Sequence, residues 1–162
     1  MNAAHLHLII NHLPVQGLLF SLMAIAWGMY QKSRNTFLLA FSFTLISAIG
    51  GFIAGNTGEA AEEAVEHIIG ISHDAIHEHE EAAEAAMPFN IASGILSLLA
   101  GFLLLKNHKY AGVAQWVLLL AVAAGCTLSA RAGWLGGKIR HIQEIQTEPS
   151  ASHDADGHEE HE

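Results

Sequence analysis

Long apolar stretches of this chain alternate with short polar ones. Four stretches contain no Lys, Arg, Asp or Glu, and they are residues 8–30, 36–55, 87–105 and 110–130. Crossing the hydrocarbon core of a bilayer takes about 20 helical residues, so each stretch is long enough to span a membrane. Buried helices of a soluble bundle would show a polar outer face on every turn, which these stretches lack. The pattern predicts an all-α protein, a bundle of four transmembrane helices.

The polar segment between the second and third spans, residues 56–86, is rich in Ala and Glu, and both residues favour helix. Asn56 followed three residues later by Glu59 is typical of a helix start. Ser72 is suited to cap a second helix that runs towards Pro88, and Pro88 is expected to open the third span. We therefore expect helical extensions above the spans, on the side of the membrane that carries this segment.

The last residues of the chain differ from the rest. Residues 1–146 are expected to form one domain, whereas residues 147–162 are polar, rich in His and acid, and without apolar periodicity. Such a composition predicts a disordered tail. Its histidines, His153, His158 and His161, either hold metal loosely or belong to a solvating leash.

The distribution of basic residues predicts the orientation. The connection between the first two spans contains Lys32 and Arg34, and the connection between the last two contains Lys106 and Lys109, with no acid in either. Short basic loops stay in the cytoplasm, so both termini and the polar segment should be extracytoplasmic. Three basic residues beyond the fourth span argue for the opposite orientation, but four in two short loops weigh more.

Charge and cysteine content exclude several classes of protein. The formal net charge is −9 with only seven Lys and Arg, which argues against a nucleic-acid partner because phosphate binding needs a basic surface. Cys126 is the single cysteine, so this chain has no internal disulfide, Cys-rich zinc site, iron–sulfur cluster or c-type haem attachment motif.

Histidines and carboxylates are sorted to one side of the predicted bundle. All sixteen Asp and Glu and eleven of the twelve His fall in segments on the predicted outer side. On the first span, His5, His12 and Gln16 are spaced seven and four residues apart, which would place them on one helix face. Ionisable groups at membrane depth are usually functional, so His12 is a candidate ligand. The alternative is an interfacial histidine bonded to a carbonyl.

The polar segment repeats the same types of residue at helical spacing. Glu59, Glu63 and His67 are four residues apart, and so are His73, His77 and Glu81. A His-x3-His spacing allows two imidazoles to reach one metal ion. The alternative is a solvated helix face with ion pairs along the helix.

Helix rise predicts that several histidines reach one layer above the membrane. Haem iron bound axially by imidazoles would suit this layer, with His7, His12, His79 and His141 as the leading ligands. Zinc, copper or a carboxylate-bridged iron pair would also suit it, with ligands among His67, His77, Glu63 and His73. In particular, we expect His12 and His79 to serve the same centre.

Four short segments resemble a family of small bacterial four-helix membrane proteins that is catalogued as a domain of unknown function. They are His7-x4-His12-x-Pro14, Thr57-Gly58-Glu59, His79-Glu80-Glu81-Ala-Ala-Glu84 and Gly136-Gly137-Lys-Ile-Arg-His141. Relatives in that family are sometimes joined to c-type cytochrome or Rieske modules. The resemblance implies a multi-pass protein of the bacterial inner membrane in a redox setting, although the present sequence contains neither module.

These observations favour an integral membrane protein that binds haem b or a divalent transition metal and serves as an accessory to an electron-transfer chain. Its expected partners are the lipid bilayer, membrane redox subunits or cytochromes, and a second copy of itself. One alternative is a non-redox protein that handles divalent metal. Another is a structural membrane subunit without cofactor, whose glycine stripes pack against a partner.

Overall fold

The computed structural model describes residues 2–65 and 72–146, and it describes side chains for 2–64 and 72–139. Five helices account for nearly all of these residues: α1 (Ala3–Ile10), α2 (Leu13–Gln31), α3 (Arg34–Val65), α4 (His73–Leu105) and α5 (Ala111–Gln146). Helices α1 and α2 are separated by a two-residue turn and together form one rod, so the five helices make four rods. The described residues contain no strand, and the prediction of an all-α bundle is confirmed.

The first rod breaks at Asn11 and His12, where the sequence pattern predicted a continuous span. Pro14 lies in the first turn of α2, a position that tolerates proline because its missing N–H would have no helical partner. The predicted stripe of His5, His12 and Gln16 crosses this turn, and all three side chains are exposed. His12 occupies the N-cap position of α2.

Helices α3 and α4 both continue well past the apolar stretches, which confirms the predicted extensions. Asn56, however, starts no helix, because it lies inside α3 and its Nδ2 donates to the Phe52 carbonyl at 2.7 Å. Pro88 likewise does not open a span, since it lies inside α4 and leaves the carbonyl of Glu84 without its usual helical donor. Ser72 caps α4 as predicted, with its Oγ accepting from the Ala75 N–H at 3.4 Å.

Short connections make the rods antiparallel. Lys32 ends α2 in a left-handed conformation (φ 53°), and Asn107 adopts a similar one (φ 50°) after α4. Helices α1, α2 and α3 form a first hairpin, and α4 and α5 form a second. Helix α3 packs against α4, α2 packs against α5, and α1 lies on α3.

The two ends of the bundle are named here by their contents. The loop end carries both short connections. The histidine end carries α1, the C-terminal parts of α3 and α5, and the N-terminal part of α4.

The main apolar core lies towards the loop end. Its buried residues are Leu18, Ile25, Phe37, Ala40, Phe41, Ala100, Leu118 and Val122. A smaller cluster at the histidine end contains Ala82, Ala132 and Leu135. Many large apolar side chains point outward instead, for example Leu120, which is 68% exposed. The four rods are long and apolar enough to cross a membrane, as in a multi-pass membrane protein.

Small residues set the distance between the rods. A Cβ added at Gly94 would lie 2.5 Å from the Ala48 Cβ, so α3 and α4 could not pack this closely with a larger residue there. On the same interface, Gly55 faces Met87, and a Cβ there would lie 2.8 Å from the Met87 methyl. Glycine at these two positions therefore serves contacts between helices within the chain.

Candidate functional site

His7 contacts α3, the long helix on which α1 packs. It lies on α1, is half-buried, and its Nδ1 is 2.9 Å from the carbonyl oxygen of Ala54 on α3. The hydroxyl of Thr57 lies 3.3 Å from the same Nδ1 and also reaches the Ile53 carbonyl at 2.9 Å. The imidazole is thereby fixed on the surface of α3.

His79 is held in the same way within the second hairpin. Its ring lies on α4, and its Nδ1 is 2.8 Å from the carbonyl oxygen of Ala132 on α5. A Cβ at Gly136 would lie 3.0 Å from Cε1 and 3.1 Å from Nδ1 of this ring. Glycine at this position therefore allows the imidazole to lie directly on the backbone of α5.

These contacts determine which ring nitrogen carries the proton. A carbonyl oxygen can only accept a hydrogen bond, so Nδ1 must be the donor in both His7 and His79. In the neutral imidazole, Nε2 then carries a lone pair and no proton. An imidazole that donates its other ring N–H to a carbonyl is the usual arrangement of a metal-ligating histidine. In both residues, the contact therefore leaves Nε2 without a proton.

The two histidine sites share a local pattern. In each, the accepting carbonyl belongs to an alanine that is followed four residues later by a glycine: Ala54 and Gly58 on α3, Ala132 and Gly136 on α5. A helical carbonyl that already accepts from residue i+4 keeps a second lone pair. The two glycines differ in how closely they contact the ring: a Cβ at Gly58 would lie 3.9 Å from the His7 Cε1, an ordinary contact, whereas one at Gly136 would be crowded. The carbonyl contact is thus shared by the two hairpins, and the need for glycine is specific to the second.

The two hairpins also share the spacing between a proline and the residue that caps the helix. Pro14 lies 18 residues before the capping residue Lys32, and Pro88 lies 18 residues before the capping residue Lys106. His7 precedes the first of these prolines and His79 the second. Both histidines lie at the histidine end of the bundle, each in contact with a carbonyl of the other long helix of its hairpin.

Polar contacts continue below the histidines, towards the membrane interior. Asn90 is 4% exposed, and its Oδ1 accepts from the Ser129 hydroxyl at 3.2 Å. A Cβ at Gly51 would lie 3.1 Å from the Asn90 Nδ2, so this amide is closely surrounded by α3 and α5. Asn11, in the turn between α1 and α2, has a buried Oδ1 without a partner.

The other candidate ligands lie on the surface. His12 is exposed and makes no side-chain capping bond. His73 and Glu63 are also exposed. His77 lies 3.4 Å from a Glu81 carboxylate oxygen and 4.0 Å from one of Glu80, along one exposed face of α4. These contacts are those of a solvated helix face.

Several predicted ligands cannot be compared with the structure. His67 and residues 147–162, which include the histidine-rich tail, lie outside the described residues, and His141 lies in α5 but outside the described side chains. Among the side chains described, no three His, Cys, Asp or Glu form a group that could hold a metal ion.

Sequence reasoning named His7 and His79 among the leading ligands but did not predict how they are held. The partners that it missed are the backbone carbonyls of Ala54 and Ala132. The Ala-x3-Gly spacing at 54–58 and 132–136 is no distinguishing signal, because it also occurs at 24–28 and 121–125. The expectation that His12 and His79 serve the same centre stays a prediction.

Comparison of the chain with protein-family models, curated proteins and solved structures finds no match. The resemblance of its four short segments to a bacterial four-helix membrane family therefore stays an expectation.

Proposed function

We propose that this membrane protein binds haem b at the histidine end, with His7 and His79 as the two axial ligands, and transfers electrons. One observation carries the proposal. Two imidazoles from different hairpins both donate Nδ1–H to a helix carbonyl and so keep Nε2 free for iron.

The number of donors favours haem over a bare ion. Haem brings four nitrogens of its own and needs only two ligands from the protein. A structural zinc site needs four protein ligands and a catalytic one usually three. Among the described side chains, His7 and His79 are two candidate ligands, but no three His, Cys, Asp or Glu form a group that could hold a metal ion.

The type of ligation favours electron transfer. When bound, haem supplies an iron that changes oxidation state, and two protein ligands leave no open position on it for a substrate. The Ala54 and Ala132 carbonyls would orient the two rings and increase their basicity, which favours the oxidised, more positive iron. The chain's own contribution is to hold two donors in place and to limit contact with water.

The basic loops support the extracytoplasmic side as the location of the histidine end, in the cytoplasmic membrane of a bacterium with both termini outside. A haem there would be placed to exchange electrons with membrane redox subunits or cytochromes on that side. The protein would then act as an accessory in an electron-transfer chain.

The test is an absorption spectrum of protein purified from membranes of cells supplied with haem precursor. A Soret band is expected, and the α and β bands of the haem should sharpen on reduction. His7→Ala and His79→Ala should each abolish the six-coordinate spectrum. The double variant should lose little more, because residues that serve one centre are not additive.

Matched controls use exposed histidines on the same helices. His5→Ala on α1 and His77→Ala on α4 should retain the spectrum, since both side chains are exposed. His12→Ala should also retain it, which separates the His7 site from a His12 site. Loss of the spectrum in His12→Ala or in the triple variant of His153, His158 and His161, with His7→Ala unaffected, would overturn the proposal.

A further inference from the structure

A cleft of about 290 Å³ lies at the loop end, where the connections of both hairpins meet. It is lined by Met29, Lys32, Arg34, Phe37, Leu104, Gly112, Gln115 and Trp116. Two of these residues are cationic, and Gln115 adds an amide. Most of the others are apolar. The cleft therefore has a charged rim on an apolar wall.

Among the described residues, this end carries basic side chains and no acidic ones. No Asp or Glu occurs among residues 1–58 or 85–143, whereas Lys32, Arg34, Lys106 and Lys109 all lie in or beside the two connections. Arg34 donates from its guanidinium to the Leu105 carbonyl at 3.3 Å, which holds it across the gap between the hairpins. Its remaining N–H groups stay available for an anion.

We propose that this cleft binds the phosphate group of an anionic phospholipid. Lys32 and Arg34 would contact the phosphate, and Gln115 would donate to a headgroup oxygen. Phe37, Leu104 and Trp116 would contact the first part of an acyl chain. Basic residues between transmembrane helices are suited to anionic headgroups, because the low dielectric of the surrounding lipid strengthens the attraction.

The position of the cleft favours a lipid over a soluble phosphate. Trp116 is 58% exposed at the start of the fourth rod, and Trp27 and Tyr30 are exposed near the end of α2. Such aromatic side chains are typical of the membrane–water interface. A ligand that enters from the bilayer can therefore use the charged rim and the apolar wall together. This inference does not depend on haem binding.

The experiment uses the fluorescence of Trp116 alone, in full-length protein carrying Trp27→Phe and Trp134→Phe. The protein is reconstituted into phosphatidylcholine vesicles that contain equal fractions of either brominated phosphatidylglycerol or brominated phosphatidylcholine. We expect the apparent affinity for the anionic quencher to exceed that for the zwitterionic one by roughly thirtyfold, because each of the two basic contacts contributes about fivefold. Equal quenching by the two lipids would overturn the proposal.

Two matched variants locate the effect. Lys32→Gln with Arg34→Gln should remove the preference, whereas Lys106→Gln with Lys109→Gln removes the same charge outside the cleft and should retain most of it. Equal loss in both would assign the preference to general surface charge and overturn the site. Lys32→Gln alone should lower the preference severalfold even if the double variant folds poorly. Inorganic phosphate should not compete, and complete competition would identify a soluble anion site instead.

Discussion

The two ends of the bundle are built from different side chains. At the loop end, large residues such as Leu18, Ile25 and Leu118 fill the space between the rods and are fully buried. At the histidine end, the core is reduced to a few residues that include Ala82 and Ala132. Large side chains cover a helix backbone, and small ones leave its carbonyls accessible. At the histidine end, the carbonyls of two buried alanines, Ala54 and Ala132, are each in contact with an imidazole.

The strongest test of this comparison asks which end lies outside the cell. With Cys126 replaced by Ala, a cysteine at Asp74 should react with an impermeant thiol reagent in intact cells, and one at Asn35 should not. Both positions are exposed and lie at opposite ends of the bundle. The difference should be nearly all or none, because a charged reagent does not cross the bilayer. Labelling of position 35 alone would place the histidine end in the cytoplasm.

The next largest effect is expected in the apolar core of the loop end. Leu118 is fully buried, and Leu118→Ala should lower the free energy of unfolding in detergent by about 2–5 kcal/mol. Leu120, two residues away and 68% exposed, is the matched control, and Leu120→Ala should change stability far less. Similar losses from both substitutions would mean that this end is not held by internal packing.

At the histidine end, the addition of a single methyl group should change the free energy of unfolding. Gly136→Ala forces an atom to about 3 Å from the His79 ring, so we expect a loss of about 1–3 kcal/mol in unfolding free energy. Gly137→Ala meets nothing within 4 Å and should stabilise the helix by up to about 1 kcal/mol. Chemical denaturation of the two variants measures the contrast. If they are equally stable, the His79 ring does not lie on α5.

The smallest effect is expected at the exposed face of α4. His77 pairs with Glu81 where both side chains are largely exposed. His77→Ala should change the unfolding free energy by less than about 0.5 kcal/mol, because solvent screens such pairs. A loss comparable to that of Gly136→Ala would show that the polar face of α4 contributes to the histidine end after all.

Hydropathy alone predicts the four rods because the cost of placing charge in lipid dominates every other term. The Ser72 cap is equally predictable, since a cap depends on neighbouring residues in the sequence. Asn56 carries a similar signal and yet lies within α3. A cap signal acts only where the chain leaves the helix, and here the hydrogen bonds of α3 continue past it.

The break at Asn11 shows a second limit. Pro14 lies in the first turn of α2, but the uninterrupted apolar run favoured one long span. The orientation of the His7 and His79 rings was also beyond the sequence. It depends on the rotation of each helix about its axis, which packing determines, and on carbonyl partners that every residue possesses.

The location of the two carbonyl contacts has a consequence for biogenesis. His7 bonds within the first hairpin and His79 within the second, so each ring can be oriented before the hairpins meet. Each hairpin closes through a short connection and can enter the membrane as a unit. A ligand shared by His7 and His79 would bind only the docked pair and so favour docking by mass action. Under haem starvation, the apolar core of the loop end would still hold the two hairpins together, and the histidine end would be the part that opens to proteolysis.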